Sequence, residues 1–347
     1  MRGLLFATAA LAALTMVSAA NASQVISTST GTNVTLGVND KGEAMLTYTS
    51  AGKVVHVLAW GAINAIPPTQ SSRQVAFTLA YDGGYEKVYK NDPAAKAAVA
   101  DLRNLQAQMG KATAAKNNPL RFELKDKIAA GYAKLDKLRA AATSYWQTFT
   151  CPTYDGPPLA WLVAACKAPD GSYWAVQQWQ RQLPNYGVAP TAVQAANEVH
   201  LAHWEGDLPV LTIATDWAWH QWEHLYGRFT YQDKPVHGFS STPGGQPLDT
   251  FGRNLYVDTL DSVYGSGWKR ENSFLTHKGT GVSCYSVNPH PPHPAGNGKR
   301  YRATIIGPGV TPDMYWEGAS PGPYDKAADA VANAAIATLG DKLCRPN

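Results

Sequence analysis

The sequence predicts a mainly β fold: sandwich-like antiparallel β-sheets carrying an inserted α-helical hairpin and a C-terminal helix. Three observations carry this expectation. Short segments of alternating apolar and polar residues recur along most of the chain, separated by turns rich in Gly, Pro, Asn and Asp. One stretch, 92–142, abandons that texture, having no Trp and being dominated by Ala, Lys and Leu. Residues 325–343 return to helical spacing at the end of the chain.

The chain begins with Met1 and Arg2, runs through an apolar stretch from Leu4 to Val17, and reaches small residues at Ala20 and Ala22. This three-part pattern is that of a signal peptide over 1–22, with cleavage expected before Ser23. The apolar stretch is too short and Ala-rich for a span, which needs about 20 apolar residues, and no later segment approaches that length. The mature protein is therefore expected to be secreted or extracytoplasmic, with no transmembrane span, and residues 23–347 to form a single secreted β-rich domain.

Strands are expected at 33–38, 44–48 and 54–58, with Asn39-Asp40-Lys41-Gly42 and Ser50-Ala51-Gly52 as the turns of a meander. Arg73–Tyr81 reads as another strand. Asp92 can cap a helix with Pro93 in its first turn. Val99, Leu102, Leu105 and Met109 then recur at helical spacing, Asn117-Asn118-Pro119 interrupts, and Leu124, Ile128, Tyr132, Leu135 and Leu138 form a second stripe. This pair is the hairpin insertion 92–142. It carries ten Lys and Arg against five Asp and Glu, more than the net +4 of the whole chain, so the basic balance belongs to the hairpin. That charge suits an anionic envelope polymer as partner.

Further on, 173–183 reads as a strand or a short helix. In 210–219, Leu211, Ile213, Thr215, Trp217 and Trp219 share a face. Strands are expected at 225–231, 254–259, 273–277, 282–287 and 301–306, with long Gly/Pro-rich loops at 240–252 and 288–298. In the C-terminal helix, Val331, Ala335 and Leu339 are expected to face inward. Cys151, Cys166, Cys284 and Cys344 are an even set in an exported chain and predict two disulfides. Of three connectivities, Cys151–Cys166 and Cys284–Cys344 are favoured, the second pinning the C-terminal helix to a strand.

Only 16% of residues are charged, whereas 11 Trp and 17 Tyr are present. A surface poor in charge and rich in rings suits neutral polymers such as sugars. Trp217, Trp219, Trp222, Tyr226 and Trp268 are the candidate ligand-binding rings. His220 to His224 matches H-x-x-E-H, the spacing with which two His on a helix face bind zinc while the Glu activates water. Here the motif lies between segments that read as strands, so no cofactor is expected, zinc through His220 and His224 being the alternative. His200 and His203, beside Glu198, Glu205 and Asp207, are a further possible ligand set. Asp216, Glu223 and Asp258 are the candidate catalytic carboxylates, since glycoside hydrolysis needs two acids about 5–9 Å apart. The run Tyr264–Ser273 concentrates Gly, Trp268, two bases and an acid, and is expected to be a binding loop before a strand. No G-x-S-x-G elbow and no phosphate-cradling glycine loop are present, and nucleic acid is not an expected partner.

The stretch Tyr226–His277 (YGRFTYQDKPVHGF … PLDTFGRNLYVDTLDS … GWKRENSFLTH) resembles uncharacterised secreted bacterial proteins with no assigned activity. That resemblance implies export and a compact domain. The expected function is that of a secreted, envelope-associated or extracellular protein that binds a polymer, with carbohydrate the candidate, the partner being an extracellular polysaccharide or a cell-envelope polymer. The alternatives are an extracellular hydrolase, metal-dependent or carboxylate-based, and a structural envelope protein.

Overall fold

The computed structural model describes residues 23–66, 74–90, 92–219, 222–236, 255–277, 279–289 and 296–344. The expected signal peptide, His220, the loop 240–252 and most of the loop 288–298 lie outside the described residues.

The chain opens with β1 (Gln24–Ser27), β2 (Thr32–Val38), β3 (Glu43–Ser50), β4 (Lys53–Trp60) and β5 (Thr78–Ala80). A short helix α1 (Tyr85–Lys90) leads into α2 (Pro93–Ala114) and α3 (Asn118–Thr143). Three strands follow, β6 (Leu162–Lys167), β7 (Tyr173–Trp179) and β8 (Glu198–Trp204), then β9 (Val210–Ala218), β10 (Trp222–Tyr231) and β11 (Lys234–Pro235). The remaining strands are β12 (Leu255–Ser262), β13 (Gly265–Phe274), β14 (Val282–Val287), β15 (Arg300–Ile305) and β16 (Met314–Ala319), before α4 (Lys326–Thr338).

The described strands form four antiparallel sheets. Sheet I is β2-β3-β4-β5 and sheet II is β1-β8-β7-β6. Sheet III places β10 between β9 and β14, with β11 on its end, and sheet IV is β13-β12-β15-β16. Sheets I and II share one core, in which Leu36, Leu46, Val57 and Ala59 meet Trp174, Val176, Val199 and Leu201. Sheets III and IV share another, built from Leu225, Phe229 and Val287 against Leu255, Val257, Ala303 and Ile305. Period-2 alternation produces this: one face of each strand is apolar and must find a partner face.

The middle of sheet II is buried on both sides: every residue of β8 is buried, whereas edge strand β6 is exposed at Leu162 and Val163. The second face of sheet II meets the outer face of sheet IV through Trp179, Tyr256, Ile306 and Trp161. Trp179 packs edge-on to Tyr256 with centroids 5.2 Å apart. The two sandwiches are thus stacked, and the junction between them holds the features described below.

The helical hairpin forms as the sequence dictates. Asp92 caps α2, its carboxylate accepting from Ala94 and Ala95 N–H. Ala98, Leu102 and Leu135 are its buried core. Its base is tied to sheet I by Glu43, a buried carboxylate on β3 that accepts from Lys87, Tyr145 and Asn39. Both disulfides pair as favoured, Cys151 with Cys166 and Cys284 with Cys344. The second joins β14 to the turn after α4.

Several local expectations are corrected. Tyr264–Ser273 is not a loop: Gly265–Phe274 is β13, in register with β12 through pairs such as Asp258 with Arg270 and Leu260 with Trp268. The expected strand at 273–277 accordingly ends at Phe274. In α4 the buried inward residues are Ala332 and Ile336, Leu339 packs on the same core as expected, and Val331 is 69% exposed. The helix is rotated one position because the larger Ile336 takes the core and Asp329 is buried accepting from Tyr324 and Asn333. Trp219 leaves the alternation of β9: it adopts φ 54° just past the strand and packs with Ala218 and Tyr226 against α4. The segment 173–183 resolves as strand β7.

Candidate functional site

The junction of the two sandwiches contains a cleft of about 150 Å³ lined by Trp161, Gln178, Gln180, Asn197, Asp258, Arg302 and Thr304. Strand register builds one wall. On the outer face of sheet IV, Arg270 of β13, Asp258 of β12, Arg302 of β15 and Glu317 of β16 are successive cross-strand partners. Opposite charges at directly paired positions attract, so the ladder is locally self-consistent.

Asp258 is 2% exposed and held from both sides. Arg270 Nε donates to its Oδ1 at 2.6 Å and Arg302 Nε to its Oδ2 at 2.8 Å. Arg270 is itself fully committed: its other nitrogens donate to the carbonyls of Gln180, Arg181 and Leu183, stitching sheet IV to the segment after β7. Arg302 differs. Among the described residues its Nε is hydrogen-bonded and its terminal nitrogens have no acceptor. Its guanidinium lies between two indoles, 4.4 Å from the Trp268 centroid and 5.1 Å from Trp161. Glu317 is paired with Arg300 at 2.6 Å, so Asp258 alone faces the Arg270 and Arg302 guanidinium groups and the wall keeps a net positive charge. Stacking fixes the Arg302 plane, so its remaining N–H groups are pre-organised donors.

Trp161 is the second unusual residue. Its backbone adopts φ 59°, a left-handed conformation costly for a bulky side chain, and strain of this kind concentrates at binding sites. Its carbonyl accepts from Gln178 N–H, holding that conformation. The buried indole N–H has no partner among the described residues. Trp174, Trp204 and Trp219 share that property, but Trp161 alone among them lines the cleft. Gln178 and Gln180 donate their amide N–H groups to Gly31 and Ala195 carbonyls, leaving amide oxygens as acceptors.

Beneath the cleft lies a buried polar network. Trp179 Nε1 donates to Asp313 Oδ2 at 2.7 Å, and Asp313 also accepts from Ser23 and from Gly307 N–H. His200, fully buried on β8, has Nδ1 3.0 Å from Asp313 and Nε2 3.3 Å from Glu198. Burial alone would lower its pKa, but the two carboxylates outweigh that and raise it. Glu198 is driven the other way. Burial opposes ionisation, yet His200 and Arg181 hold its pKa at about 2. Arg181 Nε donates to Glu198 at 2.5 Å, and Gln182 donates to the same carboxylate. His203 faces the other core, stacked on Trp174 at 3.8 Å, and desolvation drops its pKa to about 4. The two histidines of the His200–His203 set therefore point to opposite sides of sheet II and do not converge.

The predicted carboxylates are dispersed. Glu223 lies inside the second sandwich, accepting from Tyr301 of β15, and burial raises its pKa. Asp258 is on the opposite face of sheet IV, in the cleft. Asp216 lies on β9, paired with His224, its carboxylate accepting from Trp217 N–H. His224 is buried, with Nδ1–H donating to Trp222 O at 2.8 Å and Nε2 2.5 Å from Ser286 Oγ, so both ring nitrogens are already engaged. Glu223 and His224 sit on opposite faces of a strand rather than on a helix. His277, Asp341 and Cys344 converge, but Cys344 is in a disulfide and His277 is paired with Asp341 at 2.8 Å.

Of the predicted rings, Trp268 alone stacks on the cleft wall. Trp219 and Tyr226 pack with α4, and Trp217 donates to Gly322 O and meets Tyr324 edge-on. Trp222 supplies the carbonyl that holds His224. Arg302, Trp161, Gln178, Gln180 and Asn197 were not among the sequence-derived candidates. The positive φ of Trp161 and the cross-strand register of Arg302 have no signature in a single sequence.

No protein-family model, no curated protein and no solved structure matches this chain.

Proposed function

We propose that the protein is an extracytoplasmic saccharide-binding protein that takes one sugar unit of an extracellular or envelope polysaccharide into the cleft between its sandwiches, favouring units that carry a carboxylate. The observation that carries the reading is the Trp161–Arg302–Trp268 stack, which offers aromatic surface together with guanidinium N–H groups that no described residue uses. Rings stack on the C–H faces of sugars, and a planar guanidinium pairs with a carboxylate. The cleft volume suits a single ring or chain end rather than a drug-sized ligand, whose pockets run to about 300–1,000 Å³. The two disulfides are compatible with an oxidising, extracytoplasmic compartment, and no helix among the described residues is long and apolar enough to cross a membrane.

Binding is favoured over hydrolysis because Asp258, the carboxylate in the cleft, is committed to two guanidinium groups, and Glu223 lies beyond sheet IV. Isothermal titration with uronate and neutral oligosaccharides tests the reading. Uronate oligomers are expected to bind, and Trp161→Ala and Arg302→Met to weaken them at least about tenfold, the loss of one stacked or charge-assisted contact. No heat with any oligomer, or unchanged affinity in both variants, would overturn it.

A further inference from the structure

The tip of the hairpin is exposed and rich in cations, and it is built from elements that do not line the cleft. With 22 residues in α2, the hairpin is about 33 Å long at 1.5 Å per residue. α2 and α3 pack chiefly on each other, and at the base on α1 through Tyr89 and on the 3₁₀ turn Ser144–Thr148. At that tip Lys111, Lys116, Arg121 and Lys125 are all exposed, and none is ion-paired among the described residues. Of the two acids nearby, Glu123 is already bonded to Lys127 at 2.5 Å, and Asp126 alone leaves the four cations in excess. Among these cations stands Phe122, 70% exposed, with Leu120 beside it at 37%. A groove of about 380 Å³ runs between Met109, Asn118, Arg121, Phe122 and Lys125.

Helix pairing does not require Phe122. The hairpin core is made by Ala98, Leu102 and Leu135 near the base, and by buried Ala112 and Leu124 towards the tip. A large ring left in water within a ring of unpaired cations is the pattern of an interfacial anchor: the charges approach anionic headgroups and the ring enters the acyl boundary. A soluble polyanion would use the cations and leave the ring idle. We infer that the hairpin tip, through Phe122, Leu120, Lys111, Lys116, Arg121 and Lys125, docks the protein on an anionic phospholipid surface and holds the saccharide cleft away from it.

The test is co-sedimentation of the purified chain with vesicles of equal parts phosphatidylglycerol and phosphatidylcholine, compared with phosphatidylcholine alone. Partition is expected on the anionic vesicles only, to fall as salt rises, and to weaken at least about tenfold in Phe122→Ser, as loss of a buried aromatic requires. The double variant Arg121→Glu/Lys125→Glu is expected to abolish it. Both changes are at exposed positions, and an unaltered circular dichroism spectrum and melting temperature check the fold. Absence of partition, equal partition on neutral vesicles, or an unaffected Phe122→Ser variant would overturn the inference. Retention on polygalacturonate beads without vesicle binding would also overturn it, assigning the tip to a soluble polyanion.

Discussion

At the residue scale the decisive feature is that the carboxylate buried in the junction is paired, while Arg302, among the described residues that line the cleft, keeps guanidinium donors to spare. Asp258 shows the cost of breaking such a pair. Asp258→Asn leaves two guanidinium groups facing a neutral amide, and denaturant melts should show a loss of about 3–5 kcal/mol, the range for an uncompensated buried charge. Arg302→Met should cost less, because Asp258 retains Arg270. The buried histidines make a second prediction. The raised pKa of His200 means its contribution to stability is complete below its ordinary value of 6.5 and fades as pH rises through the folded value. The sign is opposite for His203: the unfolded chain binds the proton more readily, so stability falls as pH drops from 6.5 towards about 4. NMR titration should therefore find one imidazole still charged above pH 6.5 and another neutral until near 4. Two buried histidines titrating together near 6.5 would contradict the network.

At the element scale, close approach and cross-links set tolerance. A Cβ on Gly227 of β10 would stand 1.8 Å from the Thr212 carbonyl oxygen of β9. Backbone cannot swing aside as a side chain can, so Gly227→Ala should destabilise by about 2–3 kcal/mol, as overpacking does. The Cys284–Cys344 disulfide spans 60 residues and fixes α4 over sheet III. Removing both cysteines should lower unfolding free energy by up to about 4 kcal/mol on the chain-entropy account, measured under non-reducing conditions. A shift near zero would mean that Ala332 and Ile336 alone hold the helix.

On the scale of the whole molecule, Arg270 and Asp313 tie the sandwiches together through buried hydrogen bonds. Equilibrium unfolding followed by circular dichroism and by tryptophan fluorescence should give one coincident transition. The fold class was legible in the sequence because alternation, turn residues and capping are local signals: Asp92, the break at Asn117–Pro119, and the four cysteines all read correctly. The inward face of α4 read correctly at Leu339 but not at Val331, because Ile336 and the buried Asp329 set the rotation of the helix. Tyr264–Ser273 was misread because its glycines suggested a loop, while pairing with β12, a long-range effect, makes it a strand. The cleft was legible in part. Trp268 and Asp258 drew attention by residue type, but their partner Arg302 is adjacent only through register. The aromatic run around Trp217–Trp222 promised more than it delivers because α4 covers much of it.

The proposed role of the cleft is tested most directly by the indole N–H signals of the eleven tryptophans, followed by NMR as a uronate oligosaccharide is added. The account predicts that the Trp161 and Trp268 signals move first and saturate together, while the core residues Trp174 and Trp204 stay fixed. Shifts confined to Trp217, Trp219 and Trp222, or none at all, would contradict it.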